Sequence, residues 1–358
     1  MSDSQRIRHI DAWRFIAVSM VIAAHVISVS NWSYLASVVP GASRLGRFGD
    51  FGVQIFFFIS GFVICRGLIE ERATTLGVSL KAFYVRRALR IIPPLYLYLA
   101  ILAALNAADF ITIAVPSIGN SALFLCNIYS IDGCPWYVGH TWSLAYEEQF
   151  YLVFPLLFIT LGLVVRLKIL PMMILLMVLT SLGLRWAGAG WSATYLSHMI
   201  FMLTGCAAAL YWGQLSPWCN RLSTRHWLAI LTLLVLCVGL LPGPIEVYVK
   251  TVLYPPLIGL LVLGTPVANA GVRAFFQNPL VSYLGKISYT VYLWQQLATS
   301  PYPTLSPWWT IVFVVGVWLF AHFSYQYLER PLIAVAHRWS AAIKRRELSK
   351  YAAGIKPI

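Results

Sequence analysis

Long apolar runs alternate with short polar connections along most of the 358-residue chain. A helix that crosses the hydrocarbon core of a bilayer needs about 20 mostly apolar residues, and each run approaches that length. Pro and Gly interrupt several of the runs, which membrane bundles tolerate more readily than soluble helices do. The pattern predicts an all-α, polytopic membrane helix bundle with about ten transmembrane helices. The predicted spans are 12–30, 51–69, 91–109, 147–165, 169–187, 197–213, 227–242, 250–266, 284–300 and 308–328.

The composition indicates the same environment. Hydrophobic residues make up 59% of the chain and charged residues 11%, whereas soluble domains carry about 25% charged residues, since water must solvate their surface. The formal net charge of +14 would indicate nucleic-acid binding in a soluble protein. In a membrane protein it is expected from Lys and Arg kept on the cytoplasmic side. We therefore expect membrane lipids, and no nucleic acid, as partners.

The distribution of basic residues predicts the orientation. An even number of spans puts both termini on one side of the membrane. Cytoplasmic termini leave only four basic residues in the outer connections, so we expect both termini in the cytoplasm. We also expect one transmembrane domain over 1–340 and a basic cytoplasmic tail over 341–358. The four outer basic residues are Arg44, Arg47, Arg185 and Lys250.

The two longest connections are 70–90, predicted inside, and 110–146, predicted outside. The inner one is basic and amphipathic, whereas the outer one has no Lys or Arg and is rich in aromatic residues, which argues for order. Cys126 and Cys134 lie in the outer connection and can form a disulfide if it is extracytoplasmic. The six cysteines show no metal-ligand spacing, so we expect no metal.

The first span carries two ionisable residues, Arg14 and His25, on one helix face. Eleven residues at about 100° each return to within about 20°, and the two residues lie about 16 Å apart along the axis. A structural interpretation has Arg14 extending to the interface and His25 making one hydrogen bond between helices. Ionisable residues inside a membrane are nevertheless functional-site candidates. We expect a functional pair, with Arg14 near the cytoplasm and His25 in the outer half of the membrane.

Three arginines precede the third span. Arg87 and Arg90 are one turn apart, so their guanidinium groups can bind one phosphate group together, with Arg86 beside them. An anchor for anionic lipid explains the same cluster. From these residues alone, the anchor is the favoured interpretation.

Two adjacent carboxylates, Glu147 and Glu148, open the fourth span. Carboxylates at this depth need a partner or water. The helix dipole favours negative charge at a helix N-terminus, which is an adequate explanation for Glu148. Glu147 can instead point inward and orient a cationic or hydrogen-bonding partner.

Six short segments stand in order along the chain: Arg14 with His25, then 56–62, 87–90, 142–147, 284–294 and 327–331. Together they resemble the motifs of acyltransferase family 3, whose members are integral-membrane O-acyltransferases. Members often carry a histidine after the late Tyr-Leu-Trp, where this chain has Gln295. That departure argues against acid–base work by a histidine in the ninth span. His25 is then the first candidate and His140 the second.

The resemblance implies a multi-pass enzyme of the bacterial inner membrane. It would move an acetyl or short acyl group from cytoplasmic acetyl-CoA to a hydroxyl of a cell-envelope or exported carbohydrate, such as a polysaccharide, a lipid-linked glycan or a glycoside. His25 would act as general base and Glu147 would orient or charge-balance the centre. A covalent acyl-histidine is the alternative route. The donor's phosphates would bind Arg14, Arg86, Arg87 and Arg90.

A transporter or flippase that uses His25 as a proton relay is the competing hypothesis. It does not explain the cytoplasmic arginine pair combined with a neutral outer loop. Transporters also tend to have internal pseudo-repeats, and none is evident in this sequence. Some family members append an extracytoplasmic esterase-like domain, and we expect none in this chain.

Overall fold

The structure is a computed structural model that describes residues 3–28, 42–74, 77–128, 133–266, 268–300 and 306–352. All regular elements of these residues are helical. A 3₁₀ turn, Ala42–Leu45, precedes α2, and a π-helix, Tyr325–Glu329, separates α16 from α17. The α-helices are α1 (Asp3–Ser28), α2 (Gly46–Thr74), α3 (Leu80–Ala107), α4 (Val115–Ala122), α5 (Trp136–Gly139), α6 (Thr141–Thr160), α7 (Leu163–Trp186), α8 (Gly190–Leu210), α9 (Trp212–Arg221), α10 (Thr224–Leu240), α11 (Gly243–Val252), α12 (Tyr254–Leu263), α13 (Ala270–Phe276), α14 (Pro279–Lys286), α15 (Ser288–Ala298), α16 (Trp308–Ser324) and α17 (Arg330–Ala352).

Six helices in the described ranges are long and apolar enough to cross a membrane, and up to eight spans result if each of two bent helix pairs counts as one. The bent pairs are α9 with α10, at 103°, and α11 with α12, at 59°. The all-helical, multi-span prediction is thereby confirmed, but the number of ten is not. The six helices are His9–Ser28, Gly46–Ala73, Leu80–Ala107, Arg166–Trp186, Ser192–Leu210 and Trp308–Ser349.

Two of the ten predicted spans have no counterpart among these eight. In place of 147–165 the structure has α6, which begins at Thr141 and carries Glu147 and Glu148 in its first half. In place of 284–300 it has the end of α14 and all of α15, which has 11 residues. At 1.5 Å per residue α15 is about 16 Å long, well short of the roughly 30 Å hydrocarbon core.

The predicted inner connection 70–90 is mostly helical. The second helix continues to Thr74 and α3 begins at Leu80, so the arginine cluster lies on α3 itself. Ser79 caps this start, since its hydroxyl oxygen accepts a hydrogen bond from the backbone N–H of Ala82 at 3.2 Å. The cap satisfies one of the backbone N–H groups that the start of a helix leaves without an intrahelical partner.

The chain forms two compact units that alternate along the sequence. The first unit comprises Met1–Arg66, Leu161–Tyr292 and Thr299–Phe313. The second comprises Gly67–Thr160, Leu293–Ala298 and Val314–Ile358. The predicted boundary at residue 340 falls inside α17, and residues 353–358 of the predicted tail lie outside the described residues.

Close glycine contacts hold the helices of the first unit together. A Cβ on Gly52 would lie 2.5 Å from the backbone oxygen of Ala17, and a Cβ on Gly285 would lie 1.9 Å from that of Asp11. Because only glycine lets backbones approach this closely, α1 packs tightly against both α2 and α14. On the far side of α2, Gly61 meets the backbone oxygen of Met202 on α8 in the same way.

The second unit is fastened by a buried carboxylate. Glu71, near the end of α2, forms ion pairs with Arg86 of α3 at 3.1 Å and with Lys344 of α17 at 2.9 Å. Its other oxygen accepts a hydrogen bond from the backbone N–H of Ser79 at 3.0 Å. One side chain thus joins the ends of three helices.

The π-helix coincides with the last of the six sequence motifs. The backbone N–H of Arg330 donates to the carbonyl of Tyr325, five residues earlier. Pro331 has no N–H to continue the ladder, which is consistent with the widened turn before it. Glu329, inside this turn, is buried.

Candidate functional site

The first helix carries Arg14 and His25 without interruption, so both predicted residues lie on one helix of the first unit. Both are partly buried. Three polar contacts fix the helix in its first half. His9 Nε2 lies 2.7 Å from the carbonyl oxygen of Val262, Trp13 Nε1 donates to the Thr265 hydroxyl at 2.9 Å, and the Ser282 hydroxyl donates to Asp11 at 3.4 Å.

The arginine cluster lies in the second unit, and its members have different surroundings. Arg86 is held by the ion pair with Glu71 and also donates to the Ser340 hydroxyl. Arg87 lies over the ring of Tyr151 on α6, with 4.2 Å between its Cζ atom and the ring centroid. Stacking fixes the plane of a guanidinium group while leaving its N–H edge available to a phosphate. Arg90 follows one turn later and is partly buried.

Glu148 is a carboxylate that lies near Arg87. The charged groups that act on it are Arg87 and Glu147. Because Tyr151 is three residues after Glu148, both side chains present the same face of α6 to α3. Sequence reasoning selected Glu147 and explained Glu148 by the helix dipole. The position of Glu148 near Arg87, on the same helix face as Tyr151, is a finding of the structure.

The outer connection is ordered around a disulfide in the residues that the structure describes. Cys126 and Cys134 are bonded, with 5.7 Å between their Cα atoms. Nearby, the Trp136 indole donates to the carbonyl of Gln296 at 3.0 Å, and the Tyr98 hydroxyl donates to the carbonyl of Tyr137 at 2.6 Å.

His140 lies beneath this loop and is buried. Its ring meets that of Tyr98 edge to face at a centroid separation of 5.6 Å, and Tyr98 contacts Trp294 at 5.3 Å. Gln295, where family members often have histidine, is fully buried and donates to the side-chain oxygen of Gln296 at 2.9 Å. The second unit thus encloses an aromatic and amide cluster around His140.

Within the described ranges, no group of three or more His, Cys, Asp or Glu side chains can hold a metal ion. The chemistry-bearing residues are instead a histidine and an arginine on α1, arginines on α3, and carboxylates on α6. A family model for an acyltransferase domain matches residues 7–336 and so includes all of them. The chain belongs to acyltransferase family 3.

Relatives of this chain are named as O-acetyltransferases. A peptidoglycan O-acetyltransferase of Listeria monocytogenes is 28% identical over 363 residues, covering 90% of this chain and 55% of the relative. A Bacillus subtilis protein is 26% identical over 359 residues, covering 90% of this chain and 54% of its own length. Its name gives the same activity as a provisional assignment. This chain spans about half the length of the curated relatives it matches. No solved structure is significantly similar to it.

Proposed function

We propose that the protein is a membrane O-acyltransferase that moves an acetyl or short acyl group from acetyl-CoA to a hydroxyl of a cell-envelope carbohydrate. The observation that carries the proposal is the family match over residues 7–336, which includes the Arg14–His25 pair on one uninterrupted helix. The names of the relatives support peptidoglycan glycan as the acceptor. The proposed location is the bacterial inner membrane, with cytoplasmic termini.

The donor's phosphate groups require cationic ligands. In the second unit we assign this role to Arg87 and Arg90, because they lie one turn apart and Arg87 is held in place by the Tyr151 ring. Arg86 is already paired with Glu71, so we assign it a structural role beside them. Arg14 of the first unit is a further candidate for the same role.

The proposed base is His25. Its neutral imidazole takes the proton of the acceptor hydroxyl while the oxygen attacks the thioester carbonyl carbon. The new C–O bond forms, the C–S bond breaks, and the imidazolium returns its proton to the departing CoA thiolate. Glu147 remains a candidate for orienting or charge-balancing this centre. Within the second unit, Glu148 lies near Arg87.

The disulfide supports the proposed orientation. Disulfides persist in oxidising compartments, so bonding between Cys126 and Cys134 is consistent with an outer position for their loop. That position places the start of α6 at the outer side and the arginine cluster of α3 at the inner side. A cytoplasmic donor and an envelope acceptor require such an arrangement.

Purified protein in liposomes tests the function directly. With acetyl-CoA radiolabelled in the acetyl group and base-treated peptidoglycan fragments that carry no esters, we expect base-labile label on the glycan and one thiol released per label. Thiol release that does not depend on the glycan would contradict the proposed acceptor. The transporter hypothesis, which the family match does not favour, predicts no thiol release at all.

A further inference from the structure

The first unit contains a second group of polar residues that none of the proposed roles uses. Asp50 and Gln54, one turn apart on α2, face Lys250 of α11. Lys250 forms an ion pair with Asp50 Oδ2, and Gln54 Nε2 donates to the same oxygen at 3.3 Å. Charged side chains in helices that can span a membrane are costly, so this group requires an explanation.

Half of the Asp50 carboxylate is not used by this group. The contacts from Gln54 and Lys250 both reach Oδ2, so Oδ1 accepts no hydrogen bond from the residues that the structure describes. The Asp50 side chain is 39% exposed, whereas that of its partner Lys250 is 11% exposed. Gln54 is almost fully buried, and its Oε1 atom has no hydrogen-bond partner among the described residues. The Oδ1 atom of Asp50 is therefore available to a ligand.

Further charges surround the pair. The charged groups that act on the buried His198 are Lys250, Asp50 and Arg185, and the ring of His198 lies 5.7 Å from that of Phe57. These residues come from α2, α7, α8 and α11, so four helices of the first unit converge here. Lys250 and Arg185 are two of the only four basic residues that the sequence places outside the cytoplasm.

The packing of α1 on α2 places Asp50 at the level of His25. Gly49 meets Ala24, since a Cβ on Gly49 would lie 2.8 Å from the Cβ of Ala24, and Gly46 meets Ser28. Residues with higher numbers on α2 contact residues with lower numbers on α1, so the two helices are antiparallel. His25 follows Ala24 and Asp50 follows Gly49, which offsets the two by about 3 Å along the axes. Each of these residues is rotated about its helix axis by about 100° from the contact residue before it. Because the helices are antiparallel, the two rotations turn His25 and Asp50 toward the same side of the helix pair.

We propose that Asp50 binds the acceptor of the acyl transfer. Its open Oδ1 accepts a hydrogen bond from one hydroxyl of a sugar ring, while a neighbouring hydroxyl of the same ring meets His25. Lys250 and Gln54 hold the carboxylate in position from behind. The inference rests on the proposed function and specifies the acceptor as a molecule with two hydroxyls close together, as in a sugar, rather than a simple alcohol.

Asp50→Ala tests the assignment, with Glu70→Gln on the same helix as the matched control. In liposomes, with labelled acetyl-CoA and ester-free peptidoglycan fragments, we expect Asp50→Ala to raise the KM for the glycan about tenfold to a hundredfold. That range corresponds to one lost hydrogen bond to a charged group. The KM for acetyl-CoA should stay within about twofold. Glu70→Gln should match the wild-type protein in both quantities.

Asp50→Ala also leaves Lys250 without a counterion, which can impair folding. The double variant Asp50→Ala with Lys250→Met removes both charges and should show the same glycan defect in a folded protein. An unchanged KM for the glycan in either variant would overturn the inference, as would an equal loss for both substrates in the folded double variant. Absence of thiol release by the wild-type protein would instead contradict the proposed function.

Discussion

At the scale of single residues, the two units supply different chemistry. The first presents His25 and Arg14 on α1, and the second presents Arg87 stacked on Tyr151. Sequence spacing was sufficient to predict that Arg14 and His25 lie on one helix. It was not sufficient to separate Arg86 from Arg87, because the carboxylate that engages Arg86 lies on another helix at Glu71.

Arg87→Gln should raise the KM for acetyl-CoA about tenfold or more, because a charge-assisted hydrogen bond to phosphate contributes roughly 1.5–3 kcal/mol. Arg87→Lys should restore only part of the loss, since an ammonium group cannot stack on Tyr151 or offer two parallel N–H groups. Initial rates at varied acetyl-CoA measure both effects. Arg345→Gln, at an exposed position of α17, is the control. An unchanged KM in Arg87→Gln would refute the assignment.

At the scale of helices, close approach and buried charge determine the packing. The apolar pattern predicted where helices lie, and six of the predicted spans are matched by single helices. It could not predict the division of 284–300 between α14 and α15, because no proline marks the break between them at Ile287. Nor could it show that Gly61 and Gly285 are contact points, since that depends on which helices become neighbours.

Gly61→Ala should destabilise the protein by roughly 1–3 kcal/mol or more, because the added methyl group would lie 1.9 Å from the backbone oxygen of Met202. Gly67→Ala, six residues later on the same helix, meets nothing within 4 Å. It should be neutral or stabilise the helix by up to about 1 kcal/mol. Thermal unfolding in detergent compares the two, and equal midpoints would contradict the close packing of α2 on α8.

Glu71→Gln should destabilise the second unit by roughly 1–3 kcal/mol. The buried carboxylate, 7% exposed, is the shared partner of Arg86 and Lys344, which are 26% and 28% exposed. Removing it leaves two partly buried cations without their counterion, an effect that their exposure to solvent reduces. The midpoint of thermal unfolding should fall in Glu71→Gln and not in Glu70→Gln. A fall of the same size in both would show that the contact is not specific.

At the scale of the whole molecule, the charge distribution predicts a topology. Single cysteines introduced at Gly119 of α4 and Ser349 of α17, both exposed, test it in a chain that also carries Cys237→Ser. A membrane-impermeant thiol reagent should label Gly119→Cys in intact spheroplasts and Ser349→Cys only after permeabilisation. Labelling of Ser349→Cys but not of Gly119→Cys in intact spheroplasts would show the reverse orientation. The arginine cluster would then lie on the side away from a cytoplasmic donor.

The proposed mechanism depends most on His25 as the base of acyl transfer, and one comparison of two variants tests this role. The rate of label transfer from acetyl-CoA to ester-free peptidoglycan fragments is measured for His25→Ala and for His337→Ala, a variant at an exposed histidine of α17. Because a positioned general base contributes about 10²–10⁴-fold, His25→Ala should lose at least a hundredfold in rate while His337→Ala matches the wild-type protein. Normal transfer by a folded His25→Ala protein would show that His25 is not the base.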